Sequence, residues 1–161
     1  MFVKAQAGVD IAAPTRDCWT VLADIASWPT WNPAVRHAVC NDGLELEVGS
    51  RFRFSTELGT LKCRVTKVDA PQLLAFRARV LLLGERQVWR LAPTDTGTRL
   101  DVEAEMTGPI SWLFRRRLDA RLQRVMDALV QLIRLEAETR ATEAREEAAR
   151  GAVKGRVQAH E

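Results

Sequence analysis

The sequence predicts an α+β domain: a seven-stranded curved antiparallel sheet wrapped around a long C-terminal helix, with two short helices after the first strand. Three observations lead there. Short stretches that alternate apolar and polar residues follow one another, separated by tight turn signals. A terminal block from Ile110 to about Arg140 contains no glycine or proline and repeats its apolar residues every three to four positions. Between the first alternating stretch and the rest lies "DIASWPTWNPAV", with two tryptophans and two prolines in a dozen residues.

The first strand carries Val3, Ala5, Ala7, Val9 and Ile11 on one face, the period of a half-buried strand. Pro14 and Thr15 then start a short amphipathic helix with Asp17 in its first turn. Pro29 is expected to stop it, and a second helical piece is expected at roughly Trp31 to Val35. Six further strands follow, in "RHAVC", "GSRFRFST", "TLKCRVTKV", "QLLAFRARV", "GERQVWRLAP" and "TRLDVEAEMTG". The third of these changes phase towards Val68, which predicts a bulge. Turn signals such as NDG, LG and TDTG imply antiparallel neighbours. The terminal stripe of Phe114, Leu118, Leu122, Val125, Leu129, Leu132 and Ile133 makes one helix of roughly 30 residues, about 45 Å long. Residues 1–140 read as a single domain, and residues 141–161 as a charged helical extension or a frayed tail.

Composition narrows the class. The chain has 161 residues, 47% hydrophobic and 28% charged, with a formal net charge of +3, the balance of a soluble globular domain. No apolar run is long enough for a membrane span and no secretory leader is apparent, so a cytoplasmic protein is expected. Three separated cysteines and two histidines support neither a disulfide framework nor a metal site. Acids interleave with the 20 arginines and 4 lysines, which argues against a nucleic-acid groove.

A wide sheet with one apolar face needs a cover, and a single helix covers only part of it. A curved sheet can therefore leave a gap lined by large apolar residues. Trp28 and Trp31 read as wedges that seat a helical plug at one end of that gap, with Pro29 and Pro33 fixing its bend.

These stretches, above all "VDIAAPTRDCWTVLADIASWPTWNPAV" with "LEVGSRFRF" and "GTRLDVEAEMTG", resemble the START-related SRPBCC superfamily, and within it the polyketide cyclase/dehydrase-like group. The resemblance covers Phe2 to about Arg140. It implies the helix-grip fold and a deep apolar cavity for lipids, sterols, polyketides or similar molecules. It does not imply one activity, because the superfamily holds carriers, cyclases, hydroxylase subunits and chaperone activators.

The expected cavity lining is Phe52, Phe54, Phe76, Trp89 and Met106 from the strands, facing Phe114, Leu118 and Leu122 of the long helix. Thr56, Cys63 and Gln87 fall on the same inward faces. A filled core is the competing reading for each of these residues. Acid–base groups are scarce on those faces, the chain has no tyrosine, His37 reads as a surface or rim histidine, and Glu57 has no evident partner, so no catalytic residue is assigned. Cys63 reads as a small buried hydrophobe. No cofactor is expected.

Three functions follow. The first is binding or transport of a hydrophobic small molecule without catalysis. The second is a cyclase or dehydratase, which needs an ionisable group inside the cavity. The third is a protein-interaction or chaperone-activator role, which needs a packed centre and an exposed apolar patch. Trp112 followed by Arg115, Arg116 and Arg117 adds a candidate transient membrane contact, against the plainer reading of solvated arginines. Oligomeric state is not legible.

Overall fold

Alternating apolar and polar residues fold into strands wherever a turn lets neighbours pair, and here the pairing joins seven strands between Val3 and Thr107. The computed structural model describes residues 3–43, 45–109 and 114–158. β1 (Val3–Ile11) leads into α1 (Thr15–Ala23), a 3-10 turn (Ile25–Ser27) and α2 (Trp28–Trp31). The strands β2 (His37–Cys40), β3 (Arg51–Thr56), β4 (Gly59–Asp69), β5 (Leu73–Val80), β6 (Leu83–Thr94) and β7 (Gly97–Thr107) come next, and α3 (Arg115–Gln158) follows. One seven-stranded sheet has the order β1-β7-β6-β5-β4-β3-β2. Every neighbouring pair is antiparallel. The sheet is thus a meander from β2 to β7, with β1 returning beside β7.

The phase change in β4 is a register shift between Val65 and Lys67 against β5. It bends the strand and helps curl the sheet. The connection from β1 to α1 is pinned by Thr98, fully buried, whose hydroxyl donates to the Ala13 carbonyl at 2.8 Å. Gly97 beside it must be glycine: at φ +154° a Cβ would collide with the Ile11 carbonyl oxygen.

The short helices differ from the sequence expectation. α1 ends at Ala23, and Pro29 lies in the first turn of α2 rather than after α1. A proline is tolerated there because the first-turn N–H groups have no intrahelical acceptor to lose. The second helical piece therefore spans Trp28–Trp31 instead of Trp31 to Val35.

α3 packs on β1 and α1, with lighter contact to β7 and α2. Two hydrogen bonds set its direction along β1. Gln123 Nε2 donates to the Gln6 carbonyl at 2.7 Å, and the Ala12 N–H donates to Glu138 Oε1 at 2.9 Å. The buried stripe is Leu122, Met126, Leu129, Val130, Ile133, Ala137 and Ala141. Beyond Ala141 the described helical residues are exposed, and Glu146 pairs with Arg150 at 3.5 Å one turn on. Because α3 rests on the β1 side, the half of the sheet made by β3 to β6 curves over a space that the helix does not fill.

Candidate functional site

Inward residues of β3 to β6 meet in that space. Trp28 stands at the centre of an aromatic cluster, its ring 5.5–5.7 Å from Phe54, Phe52 and Trp89 and 6.5 Å from Phe76. Its Nε1 donates to the Leu22 carbonyl at 3.1 Å, which locks the plug onto the end of α1. The contacts with Phe52 and Phe54 are edge-on, which adds to burial because ring edges and faces carry opposite partial charge.

Beside the cluster lies a cavity of about 270 Å³. Its wall is formed by Trp28, Trp31 and residues 32–35 of the plug, by Phe54, Thr56, Phe76, Gln87 and Trp89 of the sheet, and by Val125, Met126, Ala128, Leu129 and Leu132 of α3. Pro33, Ala34, Val125 and Ala128 are exposed, so the space opens to solvent between the plug and the helix. An apolar cavity of about 150 Å³ accommodates benzene, and 270 Å³ suits one or two fused rings.

Five residues expected on the lining are therefore on the wall: Phe54, Thr56, Phe76, Gln87 and Trp89. The others lie elsewhere. Phe52 is buried behind the wall, its ring 5.2 Å from Phe76 and 5.7 Å from Trp28. Cys63 is buried between Phe52 and Ala78 on adjacent strands. Met106 is half-buried near the start of β1, opposite Val3. Leu118 and Leu122 pack into the core ahead of the cavity segment of α3. Phe114 is 49% exposed, because it precedes the first turn of α3 and projects past the sheet. The helical wall falls one to three turns later than expected, since 3.6-residue periodicity marks a face but not which turns of it are covered. Trp28 and Trp31, expected as wedges, are both buried and both on the wall. Of the membrane-contact residues, Trp112 and the side chain of Arg115 lie outside the described residues, while Arg116 and Arg117 are exposed.

One polar chain runs along the inward face of β6. Trp89 Nε1 donates to Gln87 Oε1 at 2.8 Å, and Gln87 Nε2 donates to Glu85 Oε1 at 2.6 Å. An indole N–H can only donate, so the Gln87 oxygen must face Trp89 and its amino group Glu85. Glu85 is half-buried, and burial raises its carboxyl above the ordinary carboxylate range, opposed by the Gln87 hydrogen bond. Glu85 is the residue that sequence reading missed. Its signal was present, because Glu85 shares the parity of Gln87, Trp89 and Leu91. The Cys63 thiol is also pushed up, first by burial and then by Glu85, and stays protonated and inert.

The remaining wall groups are mostly spoken for. Asn32 Oδ1 accepts from the Ala34 N–H at 3.0 Å, and Thr56 Oγ1 accepts from the Leu58 N–H at 3.2 Å. Trp31 Nε1 is buried without a hydrogen-bond partner among the described residues.

A family model described as polyketide cyclase/dehydrase and lipid transport matches residues 3–138. No curated protein matches the chain. Among solved structures the chain is similar to the di-domain ARO/CYC from the steffimycin biosynthetic pathway, with TM-score 0.69 and 22% identity, over 91% of this chain and 52% of that one. It is similar to the Zhui aromatase/cyclase from a Streptomyces species, with TM-score 0.71 and 21% identity, over 87% of this chain and 96% of that one. A START superfamily protein from Mycobacterium smegmatis matches with TM-score 0.65 and 16% identity, over 88% and 98%. The chain spans about half the length of the di-domain protein. At these identities the likeness is one of fold.

Proposed function

The chain belongs to the polyketide cyclase/dehydrase and lipid transport family, and from that premise we propose that it binds a compact hydrophobic small molecule bearing an acceptor oxygen. The observation that carries this reading is the apolar cavity of about 270 Å³ between plug, sheet and helix; Trp31 is one of its wall residues, and its buried Nε1 has no hydrogen-bond partner among the described residues. Burying a ten-carbon bicycle releases roughly 8 kcal/mol before association costs of several kcal/mol. Apolar burial therefore supplies the affinity. A carbonyl reaching Trp31, worth about 1–1.5 kcal/mol, supplies the selectivity.

A matched pair tests it. 1-Tetralone and tetralin share a skeleton and differ by one carbonyl oxygen. Calorimetric titration should give tetralone the tighter binding by about tenfold, and Trp31→Phe should abolish that preference while leaving tetralin unchanged. Binding of neither compound would remove the cavity reading.

One observation favours a second reading, an acid–base enzyme of the cyclase or dehydratase type. Glu85, kept protonated to higher pH by burial and oriented by Gln87, is the ionisable group that such chemistry requires near the cavity. Under that reading Glu85→Gln abolishes turnover of a poly-β-ketone thioester and leaves ligand binding intact.

A further inference from the structure

Four large apolar side chains stand exposed at one end of the sheet: Leu58 at 53%, Leu81 at 91%, Leu82 at 67% and Phe114 at 49%. Their common position follows from topology. Leu58 lies in the β3–β4 turn beyond the pair Thr56 and Gly59. Leu81 and Leu82 form the β5–β6 turn beyond Val80 and Leu83. α3 runs along β1 in the same direction, Gln123 on Gln6 and Glu138 on Ala12, so Phe114 falls at the Val3 end, which pairs with Met106.

Leu81 carries two costs at once. It is almost wholly exposed, and its φ of 52° is a left-handed conformation that glycine or asparagine adopts more readily. At 91% exposure, packing among the described residues offsets neither cost, which points outward.

Cations flank these tips on the face of the sheet opposite the cavity. Strand pairing sets Arg53 against Lys62 and Lys62 against Arg79. A second row sets Arg51, Arg64, Arg77 and Arg86 against one another across four strands. All seven are exposed. Like charges directly opposite in a sheet repel, and among the described residues the carboxylates within ion-pair distance stand at the ends of the second row, Asp42 at 3.9 Å from Arg51 and Glu105 at 3.8 Å from Arg86. Such an array is relieved by an anionic surface.

We propose that this end of the sheet docks on an anionic lipid membrane, with the leucine tips in the acyl boundary, the row of Arg53, Lys62 and Arg79 at the phosphates and the second row above it. The dimensions fit. Arg79 is two residues from Leu81, about 7 Å along the strand, and peripheral apolar groups enter about 5–10 Å below the headgroups. Arginine predominates, and its planar fork matches phosphate oxygens. Protruding leucines from separate turns suit a fluid layer, whereas a nucleic-acid backbone has nothing to pair with them. Thr56 of the cavity wall lies two residues from Leu58, so the docked end adjoins the cavity. Among the described residues no helix is long and apolar enough to cross a membrane, which makes the contact peripheral. The inference stands apart from what the cavity binds.

Co-sedimentation of the full chain with phosphatidylcholine vesicles, with and without about 30% phosphatidylglycerol, tests it. The chain should bind the anionic vesicles and not the zwitterionic ones. The double variant Leu81→Asn with Leu82→Ser should weaken binding at least about tenfold, less than the worth of one fully buried leucine. Asparagine suits the turn, so the fold should hold, as a thermal melt checks. Lys62→Glu with Arg79→Glu should weaken it similarly, independently of the turn. Absence of binding to anionic vesicles overturns the proposal. So does binding that the leucine variant leaves unchanged, or tighter association with duplex DNA than with the vesicles.

Discussion

Replacing Trp28 with alanine removes the ring on which the plug, the sheet and the cavity all rest. Trp28 is 4% exposed and its ring meets four others within 6.5 Å. A buried tryptophan cut to alanine costs about 3–5 kcal/mol when the surroundings relax only partly. Relaxation should be limited here, because Phe52, Phe76 and Trp89 are themselves almost fully buried and held by paired strands. The Leu22 carbonyl also loses its donor, which places the expectation in the upper half of that range. For a chain of this size each kcal/mol moves the melting midpoint by about 2–4 °C, so the variant should melt roughly 8–20 °C lower. Differential scanning calorimetry reads this directly. Trp28→Phe keeps one aromatic ring while losing the N–H and part of the indole's contacts, and it should lie between wild type and the alanine variant. A Trp28→Ala protein melting within about 2 °C of wild type would show that the plug is not held by this ring, and the account of the cavity wall would fall with it.

Glu85→Gln should change the pH dependence of stability. The carboxyl is raised above its ordinary value of 4.5, so the folded chain holds this proton more tightly than the unfolded chain does. Stability from the group is full below pH 4.5 and declines as pH rises through the folded value. The wild-type melting midpoint should therefore fall relative to Glu85→Gln from about pH 4.5 upward, and parallel melting curves would contradict the burial assigned to Glu85. The thiols offer a separate check. Cys40 is half-buried while Cys18 and Cys63 are buried, so iodoacetamide followed by peptide mass spectrometry should label Cys40 first and the other two only on unfolding. Early labelling of Cys63 would contradict a buried, protonated thiol.

Much of this molecule was legible in one dimension. The period of two in "TRLDVEAEMTG", the turn signals, and the change to helical spacing after Pro109 determined the elements and their antiparallel sense, because those patterns report which face of each element avoids water. The β4 bulge was legible for the same reason, as a break in parity at Val65 to Val68. Tertiary packing decided the rest. Which turns of α3 face the cavity depends on how the helix slides along β1, and Val125 to Leu132 took the place expected of Phe114 to Leu122. Whether Gln87 presents a donor depends on Glu85 and Trp89 holding its two ends. The opposed arginines of β3 to β6 lie on four separate strands, and only strand register sets them against one another. Periodicity is a property of single elements, whereas cavities, donor orientation and charge rows arise between elements, where distances are set by the whole fold.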